Sequence, residues 1–309
     1  MTLPDESTAP LPEALAAFEL EFHRFYAANY PMSRGQLAQD LFALFVHPGP
    51  GIYLDIGAAH PSHISNTKLL EEKGWNGVLV EPNPFFTEKI KSERKALLLP
   101  CAVTPQPTGP AVLEVAEDPE FSRLAGMAEV DPGERQGKRA TARAIEVQTV
   151  DIVSVCKTVH AEFRTLDFVS LDVEGLEYDI LLNFVFAELA PSVICVEHNS
   201  AASEQKISGL LESKGYVRTC RDISKWDAWF VREELIRSGI PRAMIDAEPV
   251  ASAAKGMNVP QVARKLYESK AFQAAAALVE IRSRETRLDP GSLAILARCH
   301  FHLGHLELL

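Results

Sequence analysis

The sequence predicts an α/β fold, a mostly parallel sheet covered by helices on both faces. Three observations predict it. Short β-rich apolar runs alternate with stretches of helical spacing from Ile52 to Arg232. The first run closes on a single-glycine turn, Asp55-Ile-Gly57-Ala58-Ala59, and the next closes on an acid, Val80-Glu81-Pro82. Such alternation argues for a parallel sheet, because each crossover lays a helix on one face. Strand, tight turn, helix, strand, acid is also the order in which an open α/β sheet grips an adenosine-containing cofactor.

Along the chain, residues 1–10 read as disordered, with an acidic, polar start unlike a secretory signal. Apolar positions from Leu11 to Val46 recur at helical spacing and break at Tyr30-Pro31, which predicts two helices, the second capped by Ser33. His47-Pro-Gly-Pro-Gly51 punctuates the chain. Strands are expected at Ile52–Ile56, Gly77–Glu81, Ala96–Val103, Ala111–Ala116, Ile145–Val150, Asp167–Val173 and Val193–Glu197. Helices are expected at Ser65–Lys73, Phe85–Glu93, Asp151–His160, Tyr178–Phe186 and Glu204–Lys214. Tyr216–Arg221 and Ala228–Arg232 read as a closing hairpin. Pro119 to Arg143, with Gly126, Gly133 and Gly137, is a long irregular stretch of the sort that is mobile or functional.

After Glu233 the texture turns to Ala-rich helices. Val262, Ala263-Arg264 and Tyr267 recur as Leu296, Ala297-Arg298 and Phe301 at an offset of 34 residues, the period of tetratricopeptide repeats, with Gly304 at the expected turn. Ordinary amphipathic helices are the competing reading. The expected organisation is a helical extension (1–48), a cofactor-binding domain (49–233) and a helical repeat-like segment (234–309) that packs on that domain or belongs to something longer.

Composition bounds the function. A chain of 309 residues has room for one full α/β domain and extra elements. A formal net charge of −11 argues against a nucleic-acid partner, since duplex binding rests on clustered Lys and Arg. No apolar run approaches the ~18 residues of a membrane span, so a cytoplasmic location is the default expectation. The five cysteines lack metal or disulfide spacing and read as reduced thiols.

The chemistry gathers at strand ends. Gly57 lets the chain turn sharply from strand to helix, but the later glycines of the dinucleotide fingerprint are Ala59 and Ser62 here. A ligand without phosphate needs less room, and Asp55 before the turn suits a cation. Glu81, 26 residues after Asp55, sits where a carboxylate can take both ribose hydroxyls. Asp172, Glu174, Glu197 and His198 follow two further strands and share the same rim. Asp172, Glu174 and Glu197 could hold Mg²⁺ or Ca²⁺ through oxygen. His60 and His63 follow the glycine turn and could touch substrate; Ser65 or Asn66 could cap the helix that follows. His300, His302 and His305 look metal-like but fall in the terminal helical segment.

Together these residues resemble the FkbM family of S-adenosylmethionine-dependent methyltransferases. The matching pieces are Ser33-x-Gly-Gln36-x-x-Gln-Asp40, Tyr53-Leu-Asp-Ile-Gly-Ala-Ala-His-Pro61, Ser65-Asn-Thr67, Gly74-Trp-Asn-Gly-Val-Leu-Val-Glu-Pro-Asn-Pro84, Asp167-Phe-Val-Ser-Leu-Asp-Val-Glu-Gly-Leu-Glu177 and Val196-Glu197. The resemblance spans about residues 33 to 232 and implies a class I methyltransferase (Rossmann-like) fold with a seven-stranded sheet and, most often, O-methylation of a sugar or natural-product hydroxyl. It implies that Asp55 and Gly57 hold the methionine end of S-adenosylmethionine, that Glu81 binds the ribose, that Cys101-Ala102-Val103 flank the adenine, and that Ala58, Asn66 and Pro82 also contact the cofactor. It sets Asp172 near the sulfonium, Glu174 on the substrate side, and His60 and Asn66 near the transfer centre. His198 or Asp172 is then the expected base. The acceptor would be a small molecule or glycan, and the terminal helices could dock a protein partner. Two rivals stand beside this reading: an NAD-dependent oxidoreductase, and a non-catalytic interaction protein.

Overall fold

The computed structural model describes residues 10–107, 109–126 and 143–239, with Ala275, Ala276, Val279, Ile295, Leu296, Arg298 and Cys299. The repeat-like residues Val262, Ala263, Arg264, Tyr267, Ala297, Phe301 and Gly304, the histidines His300, His302 and His305, and Gly133 and Gly137 lie outside them. The chain forms two compact units: Arg34–Thr219 with Ser224–Glu233, and Met1–Ser33 with Cys220–Ile223 and Glu234–Leu309.

The larger unit is built on one sheet. Its strands are β1 (Ile52–Ile56), β2 (Asn76–Val80), β3 (Leu97–Leu99), β9 (Phe168–Leu171), β10 (Val193–Glu197), β11 (Tyr216–Thr219) and β12 (Asp227–Arg232). They lie in the order β11-β12-β10-β9-β1-β2-β3. β1 runs parallel between β2 (Asp55 beside Leu79) and β9 (Asp55 beside Ser170), and only β12 runs antiparallel, against β10 and β11. The carboxyl ends of β1, β2, β9 and β10 therefore share one edge.

Both faces are covered, which is why the strands are apolar on both sides. On one face Leu54, Val78, Val169 and Ile194 pack with α5 (Ile152–Phe163) through Ile152, Val155 and Val159, and with α7 (Ala201–Glu212) through Ile207 and Leu211. Toward the other lies α2 (Gln39–Val46), whose Phe42 stacks on Trp229 at 4.8 Å between ring centroids. Asp151 caps α5, accepting the Ser154 N–H at 2.9 Å.

Two expectations need correction. The run Ala96–Val103 is not one strand. Pro100 has no N–H for a ladder, and the chain breaks there: β3 stays on the main sheet, while β4 (Ala102–Thr104) pairs with β8 (Thr149–Asp151). Ser33 does not open the second helix. It ends a 3-10 turn, Tyr30–Met32, and α2 begins at Gln39 after Ala38 in a left-handed conformation (φ 70°). The loop between is tied instead by Asp40, whose Oδ2 accepts the N–H groups of Arg34 (2.6 Å) and Gly35 (3.1 Å).

Beside the main sheet stands a three-stranded antiparallel sheet, β6 (Arg123–Leu124), β5 (Ala111–Val115) and β7 (Arg143–Val147). In the smaller unit, α1 (Leu11–Asn29) presents His23, which is buried and lies 2.8 Å from the Asp222 carboxylate; the Glu19 carboxylate accepts the Cys220 N–H at 2.7 Å. Among the described residues no helix is long and apolar enough to cross a membrane.

Candidate functional site

The shared strand edge opens into a cleft of about 1180 Å³, counting its mouth. Its floor is the Gly57 turn. Gly57 has φ +84°, and a Cβ built there would lie 1.7 Å from the Asp172 carbonyl oxygen, so no other residue fits. The Gly57 and Ala58 N–H groups both donate to the Val80 carbonyl (2.9 and 3.2 Å), which locks the turn onto β2.

On one side of the turn, Asp55 is buried, and the Thr67 hydroxyl donates to its Oδ2 at 2.7 Å. Burial pushes the Asp55 carboxyl up; Thr67 and the guanidinium of Arg94 pull it back. On the other side, Glu81 is only 5% exposed and lines the cleft. Its two oxygens accept N–H groups from Ala59 (Oε2, 2.9 Å) and Asn83 (Oε1, 2.7 Å). Burial outweighs these bonds and lifts Glu81 to about 7. Each oxygen keeps a further lone-pair direction for a ligand. Pro82, Cys101 and Ala102 line the cleft next to Glu81, with Phe86, Val103 and Leu124 making that end apolar.

Asn66 also lines the cleft and caps nothing: its Nδ2 donates to Ser170 Oγ (3.0 Å) and its Oδ1 accepts the Gln36 N–H (3.4 Å). The helix after it, α3 (Lys68–Glu72), starts beyond Thr67 without a side-chain cap.

At the far end, Asp172, Glu174 and Glu197 line the cleft. Carboxylate oxygens of Asp172, Glu177 and Glu197 come within 4.8 Å of one another. The set therefore includes Glu177 where the sequence pointed to Glu174. β9 ends at Leu171, so strand alternation no longer governs the turn, and Glu174 adopts φ 58°. Glu177 accepts the N–H groups of Val173 (3.1 Å) and Gly175 (3.0 Å), and burial lifts it to about 7. Burial, then the charges of Glu197 and Glu174, hold the Asp172 carboxyl well above its ordinary range. Burial and crowding thus disfavour ionising Asp172 and Glu177 together.

The two expected histidines are elsewhere. His198 is the first residue past β10, and its backbone N–H donates to the Trp226 carbonyl at 2.9 Å. Its ring lies 4.0 Å from Glu204 and does not line the cleft, and burial lowers its proton affinity. His60 uses Nδ1 to accept the N–H groups of Ser62 (3.2 Å) and His63 (3.1 Å), so it braces the loop while His63 lines the cleft. Sequence reading did not find Gln36 or Phe86 as wall residues, nor the turn Pro119–Leu124, which closes one side of the cleft. The only signal for that turn was its place in a long irregular stretch.

A family model described as the methyltransferase FkbM domain matches residues 55–234. No curated protein matches the chain. Among solved structures, the Burkholderia thailandensis 1,6-didemethyltoxoflavin-N1-methyltransferase, with bound 1,6-didemethyltoxoflavin and S-adenosylhomocysteine, is similar at 13% identity, over 75% of this chain and 91% of that one, with a TM-score of 0.31. A likeness that distant carries no argument about the site.

Proposed function

This chain belongs to the FkbM methyltransferase family, and from that premise we propose that it is an S-adenosylmethionine-dependent methyltransferase that acts on a hydroxyl of a sugar or natural product. One observation carries the reading: a glycine turn with no room for a side chain lies between two buried carboxyls, Asp55 and Glu81, at neighbouring strand ends. Asp55, Gly57 and Ala58 receive the cationic methionine end. Glu81 takes the ribose hydroxyls, and Pro82, Cys101 and Ala102 flank the base. When bound, the cofactor supplies an electrophilic methyl group on sulfur.

Transfer is an in-line displacement. With the cofactor bound, an acceptor oxygen would take the methyl group as the carbon–sulfur bond breaks, and this chain's part would be to align the acceptor and take up the hydroxyl proton. Asp172 is assigned as the base, because it lines the cleft and His198 does not. Burial, then the charges of Glu197 and Glu174, raise its proton affinity, the direction in which a carboxylate becomes a stronger base. Asn66 and Glu174 orient the acceptor. A divalent cation would meet oxygens of Asp172, Glu177 and Glu197, and turnover before and after EDTA treatment tests that part.

The decisive experiment uses methyl-labelled S-adenosylmethionine with a small-molecule and glycan fraction, followed by mass spectrometry of the products. Wild type is expected to label a hydroxyl-bearing product. Asp172→Asn is expected to bind S-adenosylhomocysteine but to lose at least about 10²-fold in transfer. A wild-type protein that binds no S-adenosylhomocysteine would end the proposal.

A further inference from the structure

The cleft wall from Ala58 to Asn66 is an irregular loop with Ala59 (φ 47°) and Ile64 (φ 53°) in the left-handed region. Such a loop needs an anchor. The anchor lies behind it. Arg94, the residue just past α4 (Pro84–Glu93), has a side chain only 1% exposed.

A guanidinium has five N–H donors, and Arg94 makes five hydrogen bonds. Nε donates to Glu71 Oε2 (3.1 Å). Nη1 donates to the Pro61 carbonyl (3.1 Å) and Ser65 Oγ (3.3 Å). Nη2 donates to the Tyr53 hydroxyl (3.1 Å) and Thr67 Oγ1 (3.2 Å). Three of the five acceptors lie on the segment Pro61–Thr67, and the Thr67 hydroxyl in turn donates a hydrogen bond to Asp55 (2.7 Å).

Resting on the methyltransferase reading, we propose that Arg94 is a positioning residue that acts through Thr67 to fix Asp55 and the cleft loop for the amino-acid end of the cofactor. The charges agree with this. The buried network holds one guanidinium and two carboxylates, Glu71 and Asp55. Glu71 pairs directly with Arg94 and also accepts the N–H groups of Lys95 (3.2 Å) and Ala96 (3.3 Å). Lys68 also stands 3.9 Å from Glu71, whereas Asp55 is reached by hydroxyls, those of Thr67 and Ser170, and by Arg94 only through space, so part of its negative charge is left to be balanced from the cleft. A ligand ammonium supplies that balance. Lysine cannot replace Arg94: a point charge with three donors does not reach acceptors spread over a strand, a loop and a helix.

The test compares two ligands by calorimetry: S-adenosylhomocysteine, and 5′-methylthioadenosine, which keeps the nucleoside and lacks the amino-acid end. Thr67→Val keeps shape and removes the hydroxyl. It is expected to weaken S-adenosylhomocysteine by about tenfold or more, the loss of one hydrogen bond to a charged group. Binding of 5′-methylthioadenosine is expected to change by less than about twofold, within the scatter of such measurements. Thr67→Ser, which keeps the hydroxyl, recovers the affinity. Arg94→Lys follows the same ligand pattern as Thr67→Val, with the melting temperature recorded beside it. Equal losses for both ligands in Thr67→Val would reduce the network to a structural brace and overturn the proposal. No binding of either ligand by wild type would instead overturn the methyltransferase reading on which it rests.

Discussion

At Gly57 the backbone passes so near the Asp172 carbonyl that even a methyl group must push the turn off β9. Gly57→Ala is expected to destabilise by about 1–3 kcal/mol, the cost of a strained left-handed residue plus the clash. It is also expected to lose S-adenosylhomocysteine binding, as read by thermal melting and calorimetry. Glu81 makes a pH prediction. Its folded value, about 7, lies above the ~4.3 of an unfolded glutamate. The protonated form therefore favours the folded chain. That contribution is complete below the unfolded value and is lost as pH rises through about 7. Ligand affinity runs the other way, because ribose hydroxyls need an ionised acceptor: it should climb as pH rises through about 7 and level off above. Glu81→Gln should flatten both profiles. Asp55, Gly57 and Glu81 were legible in the sequence because strand ends have a fixed place in a parallel sheet. That Glu177, and not Glu174, joins Asp172 and Glu197 was not, since both sit on or after a turn where no periodicity holds. His198, the first residue past β10, lies beside Glu204 and not on the cleft wall, which the strand pattern did not reveal.

Helix α1 carries a prediction of its own. Both ring nitrogens of His23 face acceptors, the Glu19 carbonyl and the Asp222 carboxylate. Only an imidazolium can donate to both. Burial opposes that charge, but the hydrogen bond and charge of Asp222 and the Glu19 carbonyl outweigh it, and the pKa is raised above 6.5. A histidine raised on folding contributes stability that is fully present below its unfolded value and lost as pH rises through the folded one. Melting temperature should thus fall as pH rises above about 6.5. Asp222→Asn should remove that part of the slope and cost about 1 kcal/mol at pH 5.5, the value discounted because Asp222 is one-third exposed. Elements with strong punctuation were readable: β1, β2, β10, the hairpin β11–β12 and α7 lie close to where glycine and proline bound them. Between Ala102 and Asp151 only β5 was read close to its bounds: β6 fell inside the stretch read as irregular, and the run Ile145–Val150 is two strands, β7 and β8, because local sequence does not say that β4 leaves the main sheet for β8 or that β5 turns to β6 and β7.

For the whole molecule, the turn decides between cofactors. In a dinucleotide fold the N–H groups after the first strand face a pyrophosphate. Here those of Gly57 and Ala58 are taken by Val80 and that of Ala59 by Glu81, and the cleft wall is rich in carboxylates. NAD⁺ is expected to give no heat of binding at concentrations that saturate with S-adenosylhomocysteine. Measurable NAD⁺ affinity would favour the oxidoreductase alternative. The same sheet order has a consequence for how the chain comes to be. β1 is flanked by β2, its successor, and by β9, and the Ile52 N–H meets the Asp167 carboxylate 115 positions along. During synthesis at roughly 5–20 residues per second, β1 waits several seconds with one bare hydrogen-bonding edge before its second neighbour leaves the ribosome. An apolar strand held open that long is a nucleus for aggregation, so this protein is expected to need chaperone shelter at its first strand and to fold slowly, as non-local pairing dictates.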